Sequence, residues 1–247
     1  SQSLNIFGDH SDVYACRQTG FAMLAESNPQ EVMDLAPVAH LAALEGKVPF
    51  LNFFDGFRTS HEIQKIETWD YADLKEMCNM DAVKAFRDHA LNPNNPAMRG
   101  SHENGDVFFQ HREACNSVYD ALPEVVRKYM AKINVKLGTN YDLFNYYGAD
   151  DADRVIVAMG SFCDVAEEVV DYLNKNGEKV GLIKVRLYRP WVSEAFLKVL
   201  PKTCKKLAVL DRTKEPGSLG EPLFLDVATT LREANLCDVK LCGGRYG

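Results

Sequence analysis

The feature that most constrains the fold is a regular alternation of short apolar runs and amphipathic segments after Asp150. Runs typical of buried strands cover residues 154–160, 179–186, 206–210 and, at the end, 238–242. Segments with the apolar spacing of helices cover residues 161–176, 193–200 and 221–233. Strands that alternate with helices of this length predict a parallel sheet covered by helices on both faces.

The first part of the chain contains one further strand–helix–strand unit. Apolar runs at 20–25 and 48–54 predict two buried strands. Between them, Asn28 in front of Pro29 is typical of a helix start, and the helical spacing continues to Gly46. This order predicts a βαβ unit with parallel strands.

The segments between these two regular parts have weaker patterns. Helical spacing predicts a helix over 69–90 and another from Pro123 to Gly138, whereas residues 92–112 show no sustained period. Thr59 and Glu62 match a capping box, which predicts a helix after Asp55. Residues 141–148 are interpreted as a crossing between two domains, with the boundaries 1–142 and 143–247.

Composition excludes several classes of protein. With 28 Lys and Arg against 35 Asp and Glu, the net charge is −7, which argues against nucleic acid as a partner. The seven cysteines are odd in number and scattered, with no C-x-x-C pair, so reduced thiols in the cytoplasm are expected and a metal or cluster site within this stretch is not. No apolar run or leader predicts a membrane partner.

Two glycine-containing loops are candidate phosphate sites. Gly160–Asp164 joins a predicted strand to a predicted helix, and Gly217–Gly220 precedes the last predicted helix. Backbone N–H groups at a helix start can hold an anion. Neither loop has the G-x-G-x-x-G pattern, and capping by Ser161 with Asp164 in the first turn is the favoured alternative.

Other side chains allow a catalytic and a structural interpretation. Cys163 near a helix start is either an activated nucleophile or a buried inert thiol, and the inert thiol is favoured. His10 beside Asp9, and His61 beside Glu62, resemble acid–base pairs but also suit capping or surface roles. Five basic residues lie near strand ends: Lys184, Arg186, Arg189, Arg212 and Lys214. They could bind an anion together, but salt bridges with the acidic residues of the chain are the favoured interpretation.

Longer strings carry a more specific signal. They are IFGDH at 6–10, ACRQTGFAML at 15–24, the run from Pro49 through DGFRTSHEIQKI at 55–66, VGLIKVRLYRP at 180–190 and LDRTKEPG at 210–217. Together they resemble pyruvate:ferredoxin (flavodoxin) oxidoreductase over essentially the whole chain. Strings of this length are far more specific than a short motif.

The resemblance implies a function. Enzymes of that family decarboxylate pyruvate on thiamine diphosphate with Mg²⁺, pass electrons through [4Fe-4S] clusters to ferredoxin or flavodoxin, and transfer the acetyl group to coenzyme A. It implies an α/β fold of two three-layer domains: the latter part of a pyrimidine-binding-type domain, then a domain similar to the carboxy-terminal domain of transketolase, which helps the enzyme to form a homodimer. Whether ferredoxin, flavodoxin or NADP accepts the electrons stays open.

The same resemblance places most of the reaction site elsewhere in the family's chain. The pyruvate-binding threonine and arginine and the glutamate that meets the thiamine lie upstream, and the diphosphate, Mg²⁺ and cluster sites lie downstream. Leu4 and Ile6 match apolar positions near the substrate and are the predicted pocket wall. The chain starts at Ser1 and stops at Gly247, soon after a glycine pair, which favours a portion of a longer protein. We therefore expect this chain alone to bind no cofactor and to be inactive.

Two other functions remain as alternatives. One is a noncatalytic α/β assembly module, which suits residues 143–247 in particular. The other is a nucleotide- or coenzyme A-binding domain that uses the loops at Gly160 and Gly217.

Overall fold

Eight strands form two sheets in the computed structural model, which describes residues 3, 5–98, 100 and 102–247. The strands are β1 (Ala22–Ala25), β2 (Phe50–Phe53), β3 (Phe144–Gly148), β4 (Arg154–Ala158), β5 (Val180–Val185), β6 (Leu187–Arg189), β7 (Lys206–Asp211) and β8 (Lys240–Arg245). The first sheet has the order β2-β1-β6, and the second has the order β3-β5-β4-β7-β8.

The helices lie between these strands. They are α1 (Ser11–Ala15), α2 (Pro29–Gly46), α3 (Tyr71–Met77), α4 (Met80–Asp88), α5 (Phe108–Ala114), α6 (Asn116–Leu137), α7 (Phe162–Lys175), α8 (Ser193–Val199) and α9 (Pro222–Glu233), with a 3₁₀ turn over Cys16–Gln18. No helix in the described part of the chain combines the length and the apolar character needed to cross a membrane.

The start of α2 shows how local sequence sets an element. The side chain of Asn28 accepts a hydrogen bond from the backbone N–H of Glu31 at 3.0 Å, and Pro29 occupies the first helical position. Both features satisfy or remove backbone donors that have no partner inside the helix. The predicted cap and helix are confirmed.

The second sheet has the predicted parallel arrangement. β4 pairs in parallel with β5 and β7, and β7 pairs in parallel with β8. The sequence did not predict β3: within residues 141–148, interpreted as a crossing between two domains, Phe144–Gly148 forms a strand antiparallel to β5. Its aromatic residues did not show the apolar pattern of a buried strand, but Phe144 packs edge-on against Trp191 and Phe196 and so fixes this edge strand.

Apolar side chains cover both faces of this sheet. Val155 and Val157 belong to a core shared with α8 and α9, whereas Ala158 packs with Cys163 and Val170 of α7. Successive side chains of a strand point to opposite faces, so helices lie on both sides of the sheet. The prediction of an α/β fold is confirmed.

The first sheet combines two strands from the amino-terminal part of the chain with one from its carboxy-terminal part. β1 and β2 are parallel, as predicted, while β6 pairs antiparallel with β1 through Leu24 opposite Leu187 and Met23 opposite Arg189. A strand from the carboxy-terminal part therefore extends the amino-terminal sheet. The proposed boundary between residues 142 and 143 stays a prediction.

Two helix predictions were wrong in their extent. Residues 69–90 form α3 and α4 rather than one helix, because the side chain of Asn79 accepts from the N–H groups of Asp81 and Ala82 and so starts a new helix. α6 begins at Asn116 rather than at Pro123. Its buried face outweighs the hydrogen bond that an interior proline removes.

Two loop predictions were also wrong. Thr59 does not cap a helix, because its hydroxyl donates to the carbonyl of Ser27 and residues 56–70 remain irregular. Within 92–112, described in part, Phe108 begins the short helix α5. At Thr59 the contact with Ser27, which lies outside the local pattern, decides the conformation.

Candidate functional site

The candidate site lies where strands of both sheets end. Asp55 follows β2, Gly160 and Ser161 follow β4, and Arg212 follows β7 directly. Ligands of open α/β folds gather beyond the carboxyl ends of the strands. At this edge, the side chains and loops of the two sheets contact one another.

Asp55 is the centre of this contact. Its carboxylate is buried and lies 2.6 Å from Nε2 of His10, which immediately precedes α1. The other oxygen accepts the backbone N–H of Ser161 at 2.6 Å and lies 3.3 Å from the guanidinium of Arg212. One carboxylate therefore joins three segments that are distant in sequence.

The surroundings keep Asp55 ionised. Burial opposes the charge, but the hydrogen bonds from His10 and Ser161 outweigh it and hold the pKa of Asp55 well below its usual value. Two buried nitrogens of this group, Nδ1 of His10 and Nε of Arg212, have no hydrogen-bond partner among the described residues. The group is thus an ion-paired network in which these two nitrogens could still form a hydrogen bond.

Gly160 lets the two sheets approach. Its φ is +79°, and a Cβ there would lie 2.5 Å from Oδ2 of Asp55. The anion at the start of α7 is consequently the Asp55 carboxylate, which occupies the position considered for a phosphate. The predicted side-chain cap by Ser161 is wrong, because its hydroxyl accepts from Arg212 at 3.0 Å instead.

Arg212 also holds the segment before α1. Its Nη2 donates to the carbonyl of Phe7 at 2.6 Å, and its own carbonyl accepts the N–H of His10 at 2.8 Å. Gly8 has φ +120°, and a Cβ there would lie 2.2 Å from the guanidinium carbon. Residues 7–10 are therefore fixed to the end of β7.

Exposed apolar side chains lie beside this buried network, where the carbonyl of Phe7 accepts from Arg212. Ile6 is 58% exposed and Phe7 is 51% exposed. The Phe7 ring lies 4.9 Å from that of Phe57, which stacks on His61 at 4.4 Å. Phe57 has a positive φ of 64°, a strained conformation for an aromatic residue. Of the predicted pocket wall, Ile6 is at this surface, and Leu4 lies outside the described residues.

A second buried ionic cluster joins α2 to β5. Arg186 binds both carboxylate oxygens of Glu31, at 2.7 and 2.9 Å, and Lys184 pairs with Glu167. Burial opposes ionisation of Glu31, but Arg186 lowers its pKa below the usual value. Beside it, Glu26 is fully buried, and burial followed by repulsion from Glu31 raises its pKa to about 9, although Asn52 and Arg186 act in the opposite direction.

Several structural interpretations from the sequence are confirmed. Cys163 is buried, and burial raises the pKa of its thiol to about 12, so it is not an activated nucleophile. Four of the basic residues at strand ends form salt bridges with carboxylates elsewhere in the chain: Arg186 with Glu31, Arg189 with Asp226, Arg212 with Asp55 and Lys214 with Glu221. Lys184 does the same with Glu167.

The sequence-neighbour pairs do not face each other as acid and base. Asp9 accepts from the backbone N–H and hydroxyl of Ser11 at the start of α1, which is the capping alternative. His10 turns instead to Asp55. His61 stacks on Phe57 and contacts the Ser60 hydroxyl rather than Glu62.

The loop at Gly217 is lined by negative charge. Glu221 accepts the backbone N–H of Glu215 at 2.7 Å and lies 3.5 Å from both Lys214 and Arg245. The cations near this loop are therefore already paired with a carboxylate. This gives no support to a phosphate site there.

The described residues do not form a complete site for a metal-bound diphosphate. Among them, no group of three His, Cys, Asp or Glu side chains is placed to hold a metal ion. The N–H group of Ser161 and the guanidinium of Arg212, two of the anion-binding groups at this edge, are engaged by Asp55.

Sequence reasoning missed the meeting of Asp55, His10, Ser161 and Arg212. The available signal was positional, since three of them follow predicted strands of parallel sheets. What it lacked was the arrangement of the two sheets relative to each other, which brings these strand ends to one place.

Comparison with known proteins gives matches over the whole chain. Residues 1–131 match the family described as pyruvate flavodoxin/ferredoxin oxidoreductase, thiamine diphosphate-binding, and residues 152–247 match pyruvate:ferredoxin oxidoreductase core domain II. The pyruvate-flavodoxin oxidoreductase of Enterobacter agglomerans is 59% identical, and the pyruvate:ferredoxin oxidoreductase of Moorella thermoacetica is 58% identical. All of this chain is covered, but it spans only 21% of the length of each relative.

A solved structure supports the fold. The 2-oxoglutarate:ferredoxin oxidoreductase from Magnetococcus marinus, with 2-oxoglutarate, coenzyme A and succinyl-CoA bound, matches with a TM-score of 0.56 and 17% identity. The match covers all of this chain and 44% of that one. At this identity the likeness concerns the fold alone, whereas the sequence matches reach further: the chain belongs to the pyruvate flavodoxin/ferredoxin oxidoreductase family.

Proposed function

We propose that this chain is part of a thiamine diphosphate-dependent oxidoreductase that converts pyruvate and coenzyme A to acetyl-CoA and CO₂. The observation that carries the proposal is the 59% identity, over the full chain, to a relative named pyruvate-flavodoxin oxidoreductase. In this proposal electrons pass through iron–sulfur clusters to ferredoxin or flavodoxin. In the same proposal, other parts of the complete protein form the Mg²⁺ site, the clusters and the dimer contacts. The complete protein is a homodimer in the cytoplasm.

The chain's own contribution is a wall of the substrate pocket. Ile6 is exposed and precedes Phe7, whose ring contacts that of the strained Phe57. Leu4 precedes it in the sequence and is assigned to the same wall. Because the described residues form no complete cofactor site, we expect the 247-residue chain to be inactive alone.

The second candidate function differs only in the electron acceptor. The pyruvate dehydrogenase [NADP(+)] of Cryptosporidium parvum is 50% identical over this whole chain, which spans 13% of its length. The shared segment is therefore compatible with more than one acceptor. The assembly-module alternative applies to residues 143–247, since β6 extends the first sheet.

The test is an anaerobic assay of the protein expressed from the complete gene that encodes this sequence. With thiamine diphosphate, Mg²⁺ and coenzyme A, we expect pyruvate-dependent reduction of a viologen dye, and no reduction by the 247-residue chain under the same conditions. Ferredoxin, flavodoxin and NADP are then compared as acceptors. A cofactor-loaded complete protein that reduces no dye with pyruvate contradicts the proposal.

A further inference from the structure

We propose that Arg212 is a positioning residue for the reaction: it sets the place of the Ile6–Phe7 segment from the opposite end of the sequence. The inference rests on the proposed function, because it assigns that segment to the substrate pocket. It goes beyond it by giving the carboxy-terminal half of the chain a specific role at the pocket.

The contact is short and direct. Nη2 of Arg212 donates to the carbonyl of Phe7 at 2.6 Å, and the two residues are 205 positions apart. Arg212 belongs to the region that matches core domain II, and Phe7 belongs to the region that matches the thiamine-binding domain. The hydrogen bond therefore crosses from one family region to the other.

The guanidinium is itself fixed on its other side. Nη1 donates to the hydroxyl of Ser161 at 3.0 Å and lies 3.3 Å from the carboxylate of Asp55. Arg212 is only 8% exposed. A buried, charge-assisted and branched donor of this kind has little freedom to move, so the carbonyl that it holds has little freedom as well.

The segment is shaped to accept this donor. Gly8, with φ +120°, presents no side chain to Arg212, and any Cβ there would overlap the guanidinium. The N–H of His10 returns to the carbonyl of Arg212 at 2.8 Å, so the segment is bound at two points. The side chain of Phe7 is exposed at this anchor and that of Ile6 just before it, so a small displacement of the anchor displaces both.

The experiment uses the complete protein with Arg212→Gln and, as the matched control, Arg154→Gln. Arg154 starts β4 at the other edge of the sheet and pairs with Asp153 and Glu178 at the surface. The first measurement is hydrogen exchange of the backbone amides of residues 5–10, which does not depend on catalysis. We expect about a tenfold faster exchange there in Arg212→Gln and no change in Arg154→Gln.

The second measurement is steady-state kinetics with pyruvate. A displaced pocket wall weakens binding of the substrate, so we expect KM to rise about tenfold while kcat changes less than about twofold. Arg212→Lys keeps the charge beside Asp55 but lacks the branched donor. Compared with Arg212→Gln, it should therefore recover most of the lost stability, whereas its KM should stay raised. If Arg212 has a purely structural role, kcat and the fraction of folded protein should instead fall together, without a separate rise in KM.

A second variant guards against misfolding of Arg212→Gln. Gly8→Ala keeps Arg212 in the sequence, but the added Cβ pushes its guanidinium away from the segment, and the same pattern of exchange and KM is expected. Unchanged exchange at residues 5–10 in both variants overturns the positioning role, whatever the substrate. Faster exchange with unchanged kinetics toward pyruvate overturns its link to the pocket. A complete protein that is inactive on pyruvate even without substitution contradicts the proposed function, and exchange still tests the anchor.

Discussion

The imidazole of His10 and the carboxylate of Asp55 lie 2.6 Å apart in a buried contact between residues that are 45 positions distant in the chain. Because the same carboxylate accepts the N–H of Ser161, it couples the amino-terminal segment, the end of β2 and the start of α7. The carboxyl edge of the molecule is thus organised around a single buried anion.

Replacement of that anion should be costly. In the 247-residue chain, Asp55→Asn leaves the buried cation Arg212 without its counter-charge, and we expect a loss of about 3–5 kcal/mol in the free energy of unfolding at pH 7. The measurement is urea unfolding followed by circular dichroism. Asp88→Asn, at a surface pair with Lys84, is the control and should cost under about 1 kcal/mol.

The pH dependence of this variant follows from the lowered pKa. Folding keeps Asp55 ionised at pH values where the unfolded carboxyl takes up a proton, so its contribution is complete above the usual pKa and declines as the pH falls below about 4. The stability difference between Asp55→Asn and the unsubstituted chain should therefore narrow from pH 7 to pH 3. A difference that is the same at both pH values argues against a stabilising buried carboxylate.

Glu26 should show the opposite dependence. Its pKa is about 9 in the folded chain, raised first by burial and then by Glu31, so between about pH 4.5 and pH 9 the folded state binds a proton that the unfolded state releases. Stability from this group consequently falls as the pH rises through that window. Glu26→Gln removes the titration and should stabilise the chain at pH 7 by on the order of 2 kcal/mol, with less gain at pH 5.

The control for Glu26→Gln is Glu168→Gln on the exposed side of α7, which should change stability little at either pH. The measurement is again urea unfolding, now at pH 5, 7 and 8.5. A destabilised Glu26→Gln variant at pH 7 would show that the buried carboxyl is ionised and paired.

Limited proteolysis should report the irregular segment after β2. Arg58 and Lys65 are exposed between residues 54 and 70, where the chain has no helix or strand. Trypsin should therefore cut the 247-residue chain first at these residues, whereas Arg154 and Lys206, which begin strands, resist. Mass spectrometry of the first fragments tests this, and early cleavage at Arg154 or Lys206 contradicts the described sheet.

The sequence allowed prediction of elements that are decided locally. The cap at Asn28 and the parallel strands could be found because their signals lie within a few residues. β3 was missed because its stability comes from Phe144 packing against Trp191 and Phe196, some 50 residues onward in the chain.

The candidate site was beyond such reasoning for the same reason. The partners of Asp55 lie 45 and 106 positions away, and no spacing rule links residues at that distance. Ile6 was assigned by resemblance rather than by pattern, and its role as a pocket wall stays a prediction.

The most direct test of that role is the substrate preference of the complete protein carrying Ile6→Ala. Ile63→Ala, at a fully exposed isoleucine on the irregular segment, is the matched control. We measure kcat/KM for pyruvate and for 2-oxobutyrate, which is one methylene longer. If Ile6 lines the pocket, Ile6→Ala should shift the ratio toward 2-oxobutyrate by about tenfold or more, whereas Ile63→Ala should leave it unchanged. A ratio that is the same in Ile6→Ala as in the unsubstituted protein contradicts the assignment of this chain to the substrate pocket.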